Sequence, residues 1–261
     1  MLNTSFVDGA PAWVELGAPD VARAAEFYGS VFGWKFEPAG PDAGGYGIFT
    51  HDGKVAAAAG PLTEKGAAPS WTLYFRTSDA DATAGAVRKA GGTVQAGPAD
   101  VMSEGRFAQF TDPAGAMFAV WQPGNIKGMG AVNDPGTLCW TELATPDVAG
   151  ARSFYCEVLG WETGDQPMGE FTYTVIRPAG GDENSSQGGI MPLSPEMAAA
   201  GAATRWQPYF EVADCDAAAA AVTANRGTVI VPASDIPGVG RFAIALDPDG
   251  AQFAVIASVP A

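Results

Sequence analysis

The sequence contains one module that occurs twice. Residues 11–36 align with residues 138–163 at an offset of 127, and 13 of the 26 aligned positions are identical. Two further pairs of blocks repeat at an offset of 135, namely 71–81 with 206–216 and 105–121 with 240–256. Self-similarity over most of a 261-residue chain indicates an internal duplication. Whatever fold this chain adopts must therefore be built twice.

Each copy predicts the same order of elements. In the first copy, Asp20 is placed to cap a helix that Gly33 ends, and Asp79 or Asp81 is placed to cap a second helix that runs to about Ala90. Alternating or turn-bounded runs predict strands at 13–17, 45–50, 55–59, 71–77, 93–96, 105–111 and 116–121. The order β-α-β-β-β, twice per copy, predicts an α+β fold with four such units and mostly antiparallel, curved sheets.

The repeat also sets the predicted domain boundaries. We expect a first module at 8–123, a Gly-rich linker at 124–136 and a second module at 137–258. Tyr28 and Tyr155 recur on the apolar face of the first helix of each copy, so we expect them in the core.

Charge excludes one class of function. The chain carries 14 basic and 29 acidic residues, a net charge of −15, and 11 of these net negative charges fall in residues 131–261. Nucleic acids and anionic membranes require clustered cations, which are missing, so we expect neither as a partner. The N-terminus lacks the order of a signal peptide and no apolar run is long enough for a membrane helix, so we expect a cytoplasmic protein.

The residues that serve as nucleophiles and bases are few. The three cysteines are odd in number and form no CxxC pair, which predicts reduced, semi-buried thiols. The only histidine, His51, lies in the polar turn THDGK, where we expect an exposed loop residue. A Ser-His-Asp or Cys-His hydrolase is therefore disfavoured.

The repeated pattern resembles a known superfamily. The repeated pattern is similar to that of the vicinal oxygen chelate proteins. It consists of a first strand, the motif D-x-x-x-A-x-x-FY-x-x-x-x-G-W, a later strand with D-x-D and a closing strand with D-P-x-G. These include glyoxalase I, extradiol dioxygenases, fosfomycin-resistance enzymes and bleomycin-binding proteins. The motif W-x-E-L…D…FY…LGW resembles that of two-module, glyoxalase-like proteins of actinobacteria, some of which are labelled hydroxylases.

The resemblance implies a divalent metal in many relatives, yet the ligand positions have changed here. The first His of the family corresponds to Trp13 and Trp140, and the second to Thr72 and Gln207. The closing Glu corresponds to Ala119 and Ala254. An indole cannot ligate a cation through its N–H, and alanine offers no donor atom. We therefore predict no metal and no cofactor in either copy.

The same resemblance indicates which side chains line a concave face in each copy. Because side chains alternate along a strand, Glu15 shares a face with Trp13, and Glu142 with Trp140. The predicted ligand-binding residues are Trp13, Thr72, Tyr74, Arg76, Met117, Ala119 and Trp121 in the first copy, and Trp140, Gln207, Tyr209, Glu211, Gln252 and Ala254 in the second. Aromatic faces with few polar groups suit a flat, apolar ligand. The first copy has Arg76 where the second has Glu211, so the two cavities are predicted to differ in charge.

Structural interpretations of these residues stay open. Trp13 and Trp140 can be core residues that fill the former metal positions. Glu15 and Glu142 can be acid/base groups, or they can form ion pairs with Arg106 and Arg241, which recur in both copies.

Two functional hypotheses follow. In the first, the protein binds a hydrophobic, aromatic metabolite for sequestration, transport or resistance. In the second, it is a metal-independent isomerase, hydratase or hydroxylase-associated enzyme that acts on an aromatic or polyketide-like substrate through Glu15 or Glu142. A metal-dependent glyoxalase or ring-cleaving dioxygenase is the remote alternative. A monomer and a homodimer are equally compatible with the sequence.

Overall fold

The computed structural model describes residues 2–64, 66–169, 171–199 and 201–259. Within these ranges the strands are β1 Pro11–Ala18, β2 Lys35–Pro38, β3 Gly47–His51, β4 Lys54–Pro61, β5 Ser70–Arg76, β6 Thr93–Val101, β7 Gly105–Thr111, β8 Met117–Pro123, β9 Leu138–Thr145, β10 Glu162–Met168, β11 Phe171–Arg177, β12 Gly188–Pro192, β13 Arg205–Glu211, β14 Thr228–Ile236, β15 Gly240–Leu246 and β16 Gln252–Ser258. The helices are α1 Val21–Phe32, α2 Ala80–Lys89, α3 Val148–Leu159, α4 Pro195–Ala199 and α5 Cys215–Ala224.

The strands form two sheets with matching orders, β2-β3-β4-β1-β5-β8-β7-β6 and β10-β11-β12-β9-β13-β16-β15-β14. The pairs β1 with β4 and β5 with β8 are parallel, as are their counterparts in the second copy. The hairpins between consecutive strands are antiparallel. The duplicated α+β fold predicted from the repeat is confirmed.

The chain packs as two compact units, and each unit takes half of each sequence copy. Unit 1 comprises Met1–Trp13, Leu73–Gly128 and Trp140–Gln207. Unit 2 comprises Val14–Thr72, Met129–Cys139 and Pro208–Ala261. The second half of one copy is thus packed with the first half of the other.

Unit 1 has an aromatic core centred on Tyr155 of α3. The side chain of Tyr155 is fully buried, and its ring stacks on Trp161 with centroids 5.1 Å apart. Its hydroxyl donates to Asp112 Oδ2 at 3.0 Å and accepts from Trp206 Nε1 at 2.8 Å. Asp112 belongs to the first copy and Tyr155 to the second, so this buried hydrogen bond joins the copies inside one unit.

Unit 2 repeats the arrangement around Tyr28 of α1. Its hydroxyl donates to Asp247 Oδ2 at 3.2 Å and accepts from Trp71 Nε1 at 3.0 Å. The ring of Tyr28 lies 5.5 Å from that of Phe253. Burial raises the pKa of Asp247 above its ordinary value. The prediction that Tyr28 and Tyr155 are core residues is confirmed.

Helix boundaries follow the sequence signals. Asp20 accepts a hydrogen bond from Arg23 N at the start of α1, and Gly33 ends the helix with φ +73°. Asp79, rather than Asp81, caps α2 by accepting from Ala82 N. The same caps recur at α3 and α5.

The strand predictions were incomplete at the sheet edges. The prediction contained no strand at β2, which is short and exposed and shows no clear alternation. Strand β6 continues to Val101, past the predicted end at 96, and its pairing with β7 shifts register between Ala96 and Ala99. Among the described residues, no helix has the length and apolar character needed to cross a membrane.

Candidate binding site

The first strand of each copy places one carboxylate on its less covered face. On β1 the side chains of Val14 and Leu16 are fully buried, whereas Glu15 between them is only partly buried. On β9 the partly buried Glu142 lies between two fully buried neighbours in the same way. This alternation follows from the twofold period of a strand, as the sequence indicated.

Glu142 takes part in a short chain of hydrogen bonds in unit 1. Trp140 Nε1 donates to the hydroxyl of Tyr173 at 2.9 Å, and that hydroxyl donates to Glu142 Oε2 at 2.9 Å. Trp140 and Glu142 are two residues apart on β9, so their side chains lie on the same face, and Tyr173 reaches them from β11. We call Trp140, Tyr173 and Glu142 the Trp–Tyr–Glu triad.

A glycine lets Tyr173 reach across a strand. Strand β12 lies between β11 and β9, and its Gly189 is in register with Glu142. A Cβ at Gly189 would lie 2.2 Å from the Tyr173 ring and 2.3 Å from its hydroxyl oxygen. Only a residue without a side chain leaves room for the phenol at this position.

The first copy repeats the tyrosine–carboxylate pair within unit 2. The hydroxyl of Tyr46, just before β3, donates to Glu15 Oε2 at 3.0 Å. The Tyr46 ring passes Gly60, where an added Cβ would lie 3.0 Å from it. Tyr46 and Tyr173 differ by the same offset of 127 as the first repeat block. Neither tyrosine was predicted from the sequence, and this shared offset was the signal that could have identified them.

Tyr173 keeps its proton at neutral pH. Burial raises the pKa of its phenol well above the ordinary value, and the charge of Glu142 raises it further. The triad therefore contains a permanent donor facing the Glu142 carboxyl group.

The proposed pairing of the carboxylates with Arg106 and Arg241 is wrong. Arg106 binds Asp81 and Asp100, with its closest contact 2.7 Å from Asp100 Oδ1. Arg241 binds the equivalent Asp216 and Asp235. These partners recur at the offset of 135, which makes the two networks equivalent parts of the repeat.

Arg76 and Glu211, the charged residues expected to distinguish the copies, lie at the ends of β5 and β13 and both have polar partners. Arg76 forms an ion pair with Asp8 in unit 1. In unit 2 Glu211 accepts from the backbone N–H of Ser258 at 2.9 Å and from its hydroxyl at 2.6 Å.

In each copy, three residues lie side by side on three neighbouring strands, and one of the three differs between the copies. In unit 1, Ala119 pairs with Tyr74 on one side and with Gln109 on the other, and Gln109 Nε2 donates to the Tyr74 hydroxyl at 3.3 Å. In unit 2, Ala254 pairs with Tyr209 and with Ile244. A polar amide in one copy is thus replaced by an apolar side chain in the other.

The remaining predicted site residues have different surroundings. Trp13 is only 7% exposed, whereas Met117 is 49% exposed at the start of β8. Trp121 is buried and donates from Nε1 to Ile126 O at 2.9 Å. Gln207 is buried, and both Thr72 and Gln252 are partly buried.

The residues at the family's metal-ligand positions do not fit a divalent cation. Ala119 and Ala254 are fully buried and carry no donor atom, and the Trp140 indole already donates its N–H to Tyr173. Among the described residues, no three His, Cys, Asp or Glu side chains form a group that could hold a metal ion.

His51 is not the exposed loop residue that the sequence suggested. It is the last residue of β3, with 24% of its side chain exposed, and its Nδ1 is buried without a hydrogen-bond partner among the described residues. The three cysteines are free thiols, as predicted, with Cys215 buried and the other two partly buried.

The fold and the repeat are those of one family. The profile of the Glyoxalase/Bleomycin resistance protein/Dioxygenase superfamily matches residues 10–120 and again residues 137–255. The chain belongs to this superfamily.

Two relatives match over nearly the whole chain. The anthracycline biosynthesis protein DnrV of Streptomyces peucetius is 38% identical, over 97% of this chain and 94% of the relative. The putative glyoxylase CFP32 of Mycobacterium bovis is 36% identical, over 99% of this chain and 98% of the relative.

Solved structures share the fold at low sequence identity. The Mn(II)-bound glyoxalase from Novosphingobium aromaticivorans has a TM-score of 0.66 at 19% identity, over 97% of this chain and 83% of that one. The 2,3-dioxygenase LapB from Pseudomonas sp. KL28 has a TM-score of 0.64 at 14% identity, over 98% and 94% of the two chains.

Proposed function

We propose that this protein binds a hydrophobic, aromatic small molecule without a metal ion. The observation that carries the proposal is the Trp–Tyr–Glu triad. It combines a partly buried aromatic surface with one oriented carboxyl group on the same face of β9. Aromatic rings favour flat apolar partners, and a single polar group fixes their orientation.

Two further observations support a metal-free site. The ligand positions of the family hold tryptophan and alanine in both copies, so the donor set that would bind a cation is replaced twice. Relatives that are 38% identical are named for anthracycline biosynthesis, and anthracyclines are fused-ring aromatic compounds. We therefore infer a fused-ring aromatic molecule as the ligand class.

We expect Trp140→Ala to weaken binding of fused-ring hydroxyaromatic probes by about tenfold or more, because loss of a contacting aromatic side chain typically costs over 1 kcal/mol. Equilibrium dialysis of the full chain against 2-naphthol and 9-phenanthrol measures the affinity. Trp140→Phe is the matched variant, since it keeps a ring and removes only the N–H that binds Tyr173. If Trp140→Ala binds both probes as well as the unaltered chain, the assignment of this surface is wrong.

A metal-independent enzyme is the second candidate. The Tyr173–Glu142 hydrogen bond favours it, because an acid/base carboxyl group needs a fixed orientation. Mass spectrometry of the incubated ligand distinguishes the two candidates. An unchanged ligand supports binding alone, whereas a new product that disappears with Glu142→Gln supports catalysis.

A further inference from the structure

A cleft of about 310 Å³ lies within unit 2, where α5 packs beside the C-terminal end of α1. Its apolar walls include Val31 and Phe32 of α1 and three residues on one face of α5, namely Ala217, Ala218 and Ala221. Because an alanine side chain ends at Cβ, the space beside this face is left unfilled. Small-molecule sites are clefts of about this size or larger, with mostly apolar walls.

The last residue of β3 closes one side of the cleft. The ring of His51 lies against Gly136, where an added Cβ would be 3.1 Å from both Cε1 and Nε2. Gly136 also has φ +82°, which favours glycine. The position of the imidazole in the wall therefore depends on a residue without a side chain.

The charge at the cleft is negative. Asp214 contributes the carboxylate, and the described residues that line the cleft include no lysine or arginine. Asp214 Oδ1 accepts from Ala217 N at 2.9 Å, whereas Oδ2 has no partner among the described residues. Asp52 and Asp134 adjoin lining residues in the sequence, and Lys54, which pairs with His51 across the hairpin, is the cation that partly offsets them.

Helix α1 adds to this negative potential. Its C-terminal end, which carries the negative pole of the helix dipole, has no basic residue in the last turn. A positively charged group in the cleft would therefore be attracted both by Asp214 and by the end of α1.

The first copy supplies its own cation at the equivalent place. Asp8 and Arg76 form an ion pair in unit 1. Their counterparts at the offsets of 127 and 135 are Pro135 and Glu211, and the same backbone hydrogen bond of 2.8 Å joins the two segments in both units. In unit 2 an apolar wall residue thus replaces the aspartate, and an acid replaces the arginine.

We propose that this cleft is a second binding site, which takes a small organic cation with an apolar body, an alkylammonium compound. The apolar body lies along the alanine face of α5, and the ammonium group donates to Asp214 Oδ2. The site goes beyond the proposed function, since none of its lining residues belongs to the Trp–Tyr–Glu triad or to the Tyr46–Glu15 pair.

The test is an NMR titration of the full chain with hexylamine, 1-hexanol and hexanoate at pH 7. The probes share an alkyl chain and differ in charge, and none of them is aromatic. We expect shifts of the backbone amides at 212–221 and 136. Hexylammonium is expected to bind about threefold to fivefold more tightly than hexanol, which is the usual effect of an exposed ion pair, and hexanoate more weakly than either. The difference should shrink at high salt, which screens exposed charges.

A charge variant tests the role of Asp214. Asp214→Asn removes the charge and keeps an oxygen that caps α5, because asparagine caps helices about as well as aspartate. We expect the advantage of hexylammonium over hexanol to disappear. Asp79→Asn changes the equivalent cap of α2 in unit 1 and is the matched control, which should keep the advantage.

A steric variant tests the cleft itself. Ala217→Leu places a larger side chain in the cleft and is expected to weaken both hexylammonium and hexanol. Ala82→Leu, at the equivalent exposed position of α2, is its control and should weaken neither. Unchanged affinities in Ala217→Leu, hexanoate binding as tight as that of hexylammonium, or no amide shift at the cleft with any probe would overturn the proposal. Each of these results leaves the proposed aromatic site in unit 1 standing, because that site is tested with other probes and variants.

Discussion

Raising the pH from 10 to 12 is expected to lower the free energy of unfolding by up to about 2 kcal/mol for each of the buried phenols Tyr28, Tyr155 and Tyr173, because folding disfavours their ionisation. Burial raises the pKa of Tyr28 and Tyr155 well above the ordinary value near 10, and the charges of Asp247 and Asp112 raise them further. A raised pKa in the folded state gives stability that is complete below pH 10. The stability is lost as the pH rises, because the unfolded chain releases protons that the folded chain retains.

Urea unfolding at pH 8, 10, 11 and 12 measures this loss. The phenolate absorbance of the folded chain provides a second readout, since Tyr28, Tyr155 and Tyr173, among the six tyrosines of the sequence, should ionise only well above pH 10. Tyr28→Phe is the matched variant and should remove one proton from the pH dependence. Ionisation of all six phenols near pH 10 in a chain with native circular dichroism would show that Tyr28 and Tyr155 are not buried donors.

Asp112→Ala is expected to destabilise the chain by about 3–5 kcal/mol, because it removes one partner of a buried network and leaves the others unpaired. Asp112 Oδ1 accepts from the backbone N–H groups of Ala114 and Ala116, and Oδ2 accepts from Tyr155. The change affects both the turn after β7 and the hydrogen bond that joins the two copies in unit 1.

The control for this variant is Asp100→Ala. Asp100 is exposed and its ion pair with Arg106 lies at the surface, so we expect a loss of about 1 kcal/mol or less. Chemical denaturation compares the two variants under the same conditions. If both variants lose the same small amount, the buried Asp112–Tyr155 bond does not stabilise the fold.

The repeat made the fold predictable, and local signals made its helix ends predictable. Asp20, Asp79 and Gly33 lie where the sequence placed them because capping depends on residues within one turn of the helix. Asp112 lies between the predicted strands 105–111 and 116–121, but its hydrogen bond to Tyr155 was not predicted. That bond depends on the packing of the second half of one copy with the first half of the other, which no local pattern reveals.

The candidate site was predicted only in part. Alternation along β1 and β9 placed Glu15 on the face of Trp13 and Glu142 on the face of Trp140, and both carboxyl groups are only partly buried. Their tyrosine partners were missed because Tyr173 reaches Glu142 across a whole strand, and this depends on a glycine on that strand. The interpretation that Glu15 or Glu142 pairs with Arg106 was wrong, because the contact of Arg106 with Asp81 depends on where α2 packs beside β7.

The most direct test of the account is native mass spectrometry of the full chain purified from its own organism without added metal. We expect a metal-free mass accompanied by an aromatic molecule, because the positions of the family's ligands hold tryptophan and alanine in both copies. A stoichiometric manganese, iron, nickel or zinc ion, whose removal by a chelator abolishes binding of hydroxyaromatic probes, would contradict the account.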